Sequence, residues 1–157
     1  MQTPTTQSQL AIAPLLLRVL AVFIDGAILI VIGFALIAIT DPDALGEAES
    51  ANRASFVIGI VTGAIYHITF LVTMSATPGK LAMGLYVSDR QGARIRPDTA
   101  ILRYIIFLLG NAFLIGLFIS IGLVLFDPQR RAIHDRVAGT LVLRRPQDGA
   151  LPPPDLT

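Results

Sequence analysis

The sequence predicts an all-α membrane protein: a small helical bundle of two full spans and a third apolar block, with a small cytoplasmic cap that contains β-structure. Apolar stretches cover residues 15–39, 56–74 and 101–126, and the segments between and after them carry most of the charges. Hydrophobic residues make up 54% of the chain and charged residues only 15%, against about 25% charged in soluble domains. At 157 residues the chain has room for one domain.

The first apolar stretch, residues 15–39, exceeds the roughly 20 residues that a helix needs to cross the hydrocarbon core. Residues 1–14 before it are uncharged and contain Pro4 and Pro14, which predicts a disordered N-terminus. A cleaved signal peptide has a basic start and a short apolar core. Because no Lys or Arg precedes Arg18, we expect this stretch to stay in the mature protein.

Two charged residues interrupt this stretch, Arg18 and Asp25, and they lie on one helical face because seven residues make two turns. Arg18 is close enough to the end for its side chain to reach the lipid headgroups. Asp25 lies about 14 Å deep, so it must face the protein interior and find a donor or a cation, or be protonated. Three roles stay open: a polar clamp between helices, a carboxylate that handles protons or cations, and an Asp beside a water-filled vestibule without a role.

The second apolar stretch, residues 56–74, follows an acidic segment, residues 40–55, that contains a single Arg. Lys and Arg concentrate on the cytoplasmic side of membranes, so the acidic segment is predicted outside. The second stretch then returns the chain to the cytoplasm and brings His67 to within about one helical turn of the depth of Asp25. Tyr66, His67 and Thr69 are therefore candidate partners of Asp25, although His67 could equally form an ordinary interhelical hydrogen bond.

The next segment, residues 75–104, has five basic side chains against two acidic ones, which predicts a cytoplasmic location. It opens with a predicted turn, Thr77-Pro78-Gly79-Lys80, in which Pro ends the helix and Gly supplies a free φ. Residues 85–89 and 93–96 are two β-type runs around Gly92, a pattern that predicts a hairpin.

The third apolar stretch, residues 101–126, precedes five Arg in residues 127–145, so both of its ends have a cytoplasmic signature. Residues 139–145 have a strand pattern whose obvious partner is the predicted hairpin. Both observations favour a re-entrant pair of helices, roughly 99–110 and 113–126, with a bend at Gly110-Asn111. Each half is too short to span the membrane alone. A single crossing is the alternative. The Pro-rich residues 146–157 are predicted to be disordered.

Together these residues resemble the RDD family of small membrane proteins, named for one Arg and two Asp. Arg18 and Asp25 match the family's Arg and first Asp, and Asp135 matches its second Asp. The other matching positions are Thr77-Pro78-Gly79-Lys80 with Gly84 and Val87, then Arg103, His134, Arg136 and Ala138-Gly139-Thr140. The resemblance covers about residues 15–145. It implies an integral membrane protein, for which transport, including cation/proton exchange, or an accessory place in a larger assembly has been suggested.

Asp135 follows the third apolar stretch and is predicted to pair with Arg18 or Arg103 near the same leaflet. Such a pair is either a clamp between the cap and the bundle or a latch that opens and closes. Lys80 and His134 complete the set of possible partners. A metal site at His134-Asp135 is not expected, because the chain has one other His and no Cys.

The sequence contains no nucleophile elbow, Walker loop or metal-spaced cluster, so neither enzymatic activity nor a cofactor is expected. The net charge of +1 gives no field that would recruit nucleic acid. Two function classes remain: movement of a proton, small cation or small solute by an oligomer, and a non-catalytic scaffold or accessory subunit. Expected partners are the bilayer with its anionic headgroups, further copies of the chain and other membrane proteins. The predicted location is the plasma or inner membrane, with both termini and residues 75–100 in the cytoplasm.

Overall fold

The computed structural model describes residues 11–40, 42, 48–112, 119 and 122–145. The predicted disorder of residues 1–10 and 146–157 lies outside the described residues. The elements within them are α1 (Leu15–Thr40), α2 (Ala48–Met74), α3 (Pro78–Ala82), β1 (Leu85–Ser88), α4 (Pro97–Ala112), α5 (Ile133–Val137) and β2 (Leu141–Arg144). Residues 122–126 are also helical.

The α1 helix exposes apolar side chains along most of its length. Phe23 is 72% exposed, and only 11% of the most apolar 18-residue window of α1 is buried. Contiguous apolar surface of this extent is rare on soluble proteins but suits hydrocarbon. By length and composition, α1 and the Phe56–Met74 part of α2 could each cross a membrane, which confirms the two predicted apolar helices.

The α2 helix begins at Ala48, eight residues before its apolar part. The predicted loop over residues 40–55 is therefore wrong for its second half. Residues 48–55 contain three Ala, one Glu and one Arg, which are strong helix formers, so the helix extends beyond the apolar part. Residues 41 and 43–47 lie outside the described part of the chain.

A two-stranded antiparallel sheet pairs Leu85 with Arg144 and Ser88 with Leu141. The predicted strand at residues 139–145 is thus confirmed, but the predicted hairpin is wrong because residues 93–96 form no strand. The Asp89 carboxylate accepts hydrogen bonds from the Gln91 and Ala93 amides instead, at 2.9 and 2.8 Å. This turn directs the chain towards α4, and the edge of β1 is left for β2.

Residues 11–13 lie along the other edge of β2. Ile12 forms a bridge with Leu143, and the Ala13 amide donates to the Val142 carbonyl at 3.0 Å. The predicted disorder of residues 1–14 is therefore wrong for its last part, which is anchored by backbone pairing. A small apolar core, including Ala21, Leu71 and Val87, lies where the sheet meets the long helices.

The third apolar stretch begins as α4, which packs on α2 and α5. The α4 helix continues through Gly110 and Asn111 to Ala112, so the predicted bend at these two residues is wrong. Both have helical backbone, and no Pro interrupts the hydrogen-bond ladder. Residues 113–118, 120 and 121, where a later turn would fall, lie outside the described residues. The β1–β2 pairing nevertheless brings the segments that flank this stretch together.

Candidate functional site

Asp25 lies inside the protein and is 4% exposed. Its carboxylate accepts three hydrogen bonds. The Tyr66 hydroxyl and the Gly79 amide donate to Oδ1, each at 2.7 Å, and the Thr77 hydroxyl donates to Oδ2 at 2.6 Å. The carboxylate therefore joins α1, α2 and the start of α3 in one place.

Of the three candidate partners of Asp25 on α2, one forms a hydrogen bond with it and two do not. Tyr66 donates to the carboxylate. His67 instead lies against aromatic rings, with its centroid 5.8 Å from that of Tyr104 and 5.6 Å from that of Phe107. Thr69 forms no hydrogen bond with Asp25 in the described part of the chain, and its carbonyl accepts from the Thr73 hydroxyl. Tyr66 and His67 are adjacent on a helix and point about 100° apart, so only one of them can face Asp25.

The turn around Pro78 brings α3 against α1, and Gly79 allows the close approach. A Cβ atom at Gly79 would collide with the Ala21 carbonyl oxygen and would lie 2.8 Å from Asp25 Oδ1. Gly79 is not among the glycines with positive φ. The prediction that Gly79 supplies a free φ is therefore wrong, because its role is to leave space. Pro78 opens α3, where its missing amide hydrogen costs nothing.

Lys80 extends the Asp25 site towards the second acidic residue. Its ammonium donates to the Thr77 hydroxyl oxygen at 3.3 Å, and Thr77 in turn donates to Asp25. Burial and the positive charge of Arg103 lower the pKa of Lys80 to about 8, although Asp25 and Asp135 act in the opposite direction. Lys80 is thus a cation close to losing its proton under mildly alkaline conditions.

Asp135 is 1% exposed and faces two arginines. Arg103 Nη1 lies 2.5 Å from its Oδ1, Arg18 Nη1 lies 3.6 Å from its Oδ2, and the Ala132 amide donates to Oδ2 at 3.1 Å. Burial alone would raise the pKa of Asp135, but Arg103, followed by His134, Arg18 and the Ala132 amide, lowers that pKa. Both arginines that the sequence offered as alternatives therefore contact the same carboxylate.

Arg18 turns into the protein, and the expectation that it reaches the headgroups is wrong. Its side chain is 10% exposed. Nη1 donates to the Arg130 carbonyl at 2.5 Å and Nη2 to the Val142 carbonyl at 2.9 Å. A guanidinium group with several fixed donors suits this role, because it ties α1 to the segment before α5 and to β2 at once.

His134 and Phe107 link the Asp135 cluster to the aromatic rings of α4. The two ring centroids are 5.6 Å apart in an edge-on arrangement. Burial lowers the pKa of His134 to about 3, with Asp135 opposing and Arg103 adding to that shift. His134 is therefore neutral near pH 7 and does not neutralise Asp135.

Sequence reasoning missed three members of the site or its surroundings: Thr77 as a donor to Asp25, Thr140 and Asp127. Arg103 Nη1 also contacts the Thr140 hydroxyl. Asp127 accepts from Arg131 Nε at 2.9 Å and lies 3.4 Å from Arg136 Nη2. Hydrogen bonds from Arg131 are the main reason that the pKa of Asp127 is lowered. The i, i+4 spacing of Asp127 and Arg131 was the available signal.

A cavity of about 540 Å³ joins the two acidic sites. Its polar lining includes Arg18, Asp25, Lys80, Arg103 and Asp135, and both histidines also border it. The remainder is mostly apolar and comes mainly from α1 and α4, together with Leu71, Val124, Ala132, Ile133 and Val142. The volume lies within the range of small-molecule sites in proteins, so the arrangement offers a charged group a set of donors and acceptors.

Comparison with family models gives a match over residues 12–139 to the model described as the RDD family. Comparisons with curated proteins and with solved structures gave no match. The matched range covers both acidic sites, the Thr77–Lys80 turn and the two arginines that contact Asp135. The resemblance in the sequence is thereby confirmed: the chain is a membrane protein that belongs to the RDD family.

Proposed function

We propose that this protein takes part in moving a proton, a small cation or a small solute across the plasma or inner membrane, without enzymatic activity. The observation that carries the proposal is the cavity that Asp25 and Asp135 share with three basic side chains. Ionisable residues at membrane depth are costly and most often mark a pathway or a relay. Two carboxylates that line one cavity are the groups that such a relay needs.

The proposed orientation places the N-terminus, residues 75–100 and the C-terminus in the cytoplasm, with residues 40–55 outside. The Arg bias of residues 127–145 supports it. The pairing of β1 with β2 supports a third stretch that returns to the side on which it began, as a hairpin or re-entrant pair.

Oligomerisation is part of the proposal, because two full spans do not enclose a pathway. The α2 helix exposes Val57, Val61 and Ile65, which are each four residues apart and form a line along one face. We expect a second copy of the chain or another membrane protein to pack on this line.

An accessory subunit is the second candidate, and the complete hydrogen bonding of Asp25 favours it. A carboxylate that already accepts three hydrogen bonds from the protein is typical of a structural contact between helices. In that case the two acidic sites would hold the cap on the helices, and the exposed apolar faces would pack against partner proteins and lipid.

Flux through reconstituted protein separates the two candidates. The full chain is placed in sealed vesicles of phosphatidylglycerol and phosphatidylcholine with a trapped pH dye, and a Na⁺ or K⁺ gradient is imposed. Transport predicts a faster internal pH change than in empty vesicles. Asp25→Asn should insert normally and lose that change, because Asn accepts from Tyr66 and Gly79 and the Thr77 hydroxyl can rotate to accept from its amide.

The control is Asp98→Asn, which removes a carboxylate that is exposed in the cap. It should leave the flux unchanged. A wild-type rate equal to that of empty vesicles would contradict the transport proposal. An accessory role predicts that result together with a folded Asp25→Asn protein and an unfolded Asp25→Leu protein.

A further inference from the structure

The polar end of the cavity carries an excess of positive charge. Arg18, Lys80 and Arg103 line it against only two carboxylates, Asp25 and Asp135. The two histidines that border the cavity could only add to this excess, and protonation of either carboxylate would increase it. An uncompensated charge in a poorly solvated site is unfavourable, so an anionic group bound at this end of the cavity would offset the excess.

Lys80 accounts for the excess. Arg18 and Arg103 both contact Asp135, whereas no carboxylate oxygen among the described residues lies within ion-pair distance of the Lys80 ammonium. That ammonium donates only to the Thr77 hydroxyl, at 3.3 Å, in the described part of the chain. The Lys80 ammonium is thus the donor at the polar end that is available to an anionic group.

The rest of the cavity is apolar and borders the surface that faces lipid. Val19, Val22 and Phe23 of α1 line it and are 41%, 57% and 72% exposed. Ile106 and Phe107 of α4 form part of the opposite wall. A free anion would leave this wall without a ligand contact, but an amphiphile with one anionic group and an apolar chain would fill both parts.

We propose that the cavity binds an anionic phospholipid from the surrounding bilayer. Its phosphate would lie at Lys80, and one acyl chain would lie along Val19, Val22 and Phe23. The proposal goes beyond the proposed function and does not depend on it, because a transporter and an accessory subunit could each bind such a lipid.

The ionisation of Lys80 gives lipid binding a defined pH dependence. With a pKa of about 8, the ammonium is present at pH 7 and is lost as the pH rises above 8. A bound phosphate would raise that pKa, so lipid binding should weaken only above pH 8. The charged and titratable groups that face Lys80 come from α1, α2, α4 and α5 and are Arg18, Asp25, His67, Arg103, His134 and Asp135.

Native mass spectrometry of the full chain tests the proposal. The protein is released from lipid nanodiscs of equal parts phosphatidylglycerol and phosphatidylcholine, and retained lipid is counted. We expect retention of phosphatidylglycerol. Lys80→Gln should lower it by about tenfold, the effect of one charge-assisted hydrogen bond. Lys80→Arg should keep it and remove its decline above pH 8, because Arg stays charged.

Two further variants test the apolar wall. A side chain at Gly26, which lines the cavity and has open space at its Cβ position, should obstruct the acyl chain. Gly26→Leu should therefore lose phosphatidylglycerol with all charges intact. Gly33→Leu is the control, because Gly33 has the same open space on the same helix but does not line the cavity.

The controls also define what would overturn the proposal. Arg90→Gln removes an exposed positive charge in the cap, away from the cavity, and should retain lipid like the wild type. Equal loss in Arg90→Gln and Lys80→Gln would show a general surface attraction. Retention of phosphatidylcholine equal to that of phosphatidylglycerol would show that the cavity does not recognise the negative charge of the lipid. Displacement of the lipid by millimolar inorganic phosphate would assign the site to free phosphate.

Discussion

At the scale of single residues, the Asp25 carboxylate connects α1 to three other positions in the chain. Its donors come from α2, from the residue before α3 and from the backbone of α3. Each donor offsets part of the free energy that burying the carboxylate costs. Because these groups are buried, water cannot replace a donor that is removed, and the loss of one should be measurable in the stability of the whole protein.

Thr77→Val tests this expectation with little change in shape. It removes the hydroxyl that donates to Asp25 Oδ2 at 2.6 Å, at a residue that is completely buried. We expect the free energy of unfolding to fall by about 1–3 kcal/mol, the cost of an unpaired buried polar group. The measurement is SDS-induced unfolding of the full chain in detergent micelles.

Thr73→Val is the matched control for this prediction. The Thr73 hydroxyl is exposed and donates only to the Thr69 carbonyl in its own helix, at 2.7 Å. Its loss should change the unfolding free energy by less than about 0.5 kcal/mol. Equal effects of the two substitutions would mean that the Asp25 contact does not contribute to stability.

The sequence predicts the individual members of the acidic sites better than their contacts. The depth of Asp25 on a helix is enough to infer that it faces inwards, and the position of Asp135 is enough to infer an Arg partner. Thr77 and Gly79, however, follow Asp25 by more than fifty residues, and their contact with it depends on how α3 folds back on α1. Local sequence carries no information on that approach.

At the scale of helices, Gly63 of α2 and Tyr104 of α4 form one close contact between the two helices. The Tyr104 hydroxyl crosses to α2 and donates to the Ile60 carbonyl at 2.9 Å. Gly63, one turn further along α2, leaves the space in which this hydroxyl lies. In membranes, small residues of this kind allow helices to approach closely, so the pair fixes both the distance and the register of the two helices.

Gly63→Ala should weaken this packing. The added Cβ would lie 2.8 Å from Tyr104 Oη, so the hydroxyl must move away from the Ile60 carbonyl. We expect a loss of about 1–2 kcal/mol in the same unfolding assay, despite the better helix propensity of Ala. Gly59→Ala, with open space at its Cβ, should cause no loss.

A second substitution identifies the cause of the Gly63→Ala effect. With Phe at position 104 the hydroxyl is absent, and the next ring atom, Cζ, lies at an ordinary contact distance of 3.7 Å. Gly63→Ala should therefore cost little in a Tyr104→Phe background. An unchanged cost there would locate the strain elsewhere in the α2 helix.

Among the secondary-structure elements, the pairing of the strands is harder to predict from the sequence than the long helices. Hydropathy alone identifies α1 and the apolar part of α2, because each helix satisfies its own backbone. A strand needs a partner, and β1 had two candidates: the nearby residues 93–96 and the distant residues 141–144. The Asp89 turn holds the near candidate out of the sheet, so the distant one pairs with β1.

At the scale of the whole molecule, β2 joins three distant parts of the chain. It pairs with β1 on one edge and with residues 11–13 on the other. Arg18 and Arg103 add side-chain links from α1 and α4 to the same region, through Val142, Thr140 and Asp135. The residues before the first helix, after the second and after the third stretch are therefore held together at one end of the protein.

This arrangement predicts the topology of the third apolar stretch. Neighbouring strands are about 4.8 Å apart, whereas the hydrocarbon core is about 30 Å thick, so β1 and β2 must lie on the same side of the membrane. The chain contains no Cys, and single-cysteine variants can be labelled in intact cells and in inverted vesicles with a membrane-impermeant maleimide. Arg90→Cys and Arg144→Cys, both exposed, should be labelled from the same side.

Thr40→Cys supplies the opposite reference, since the exposed Thr40 ends α1 on the far side of the first span. It should be labelled only in the preparation in which Arg90→Cys and Arg144→Cys are protected. Labelling of Arg144→Cys together with Thr40→Cys would require β2 to leave β1, and the third stretch would then cross once. Labelling of Arg90→Cys and Arg144→Cys from the same side would show that both ends of the third stretch lie on that side, so the stretch turns back. We expect this result because a bilayer cannot separate two hydrogen-bonded strands.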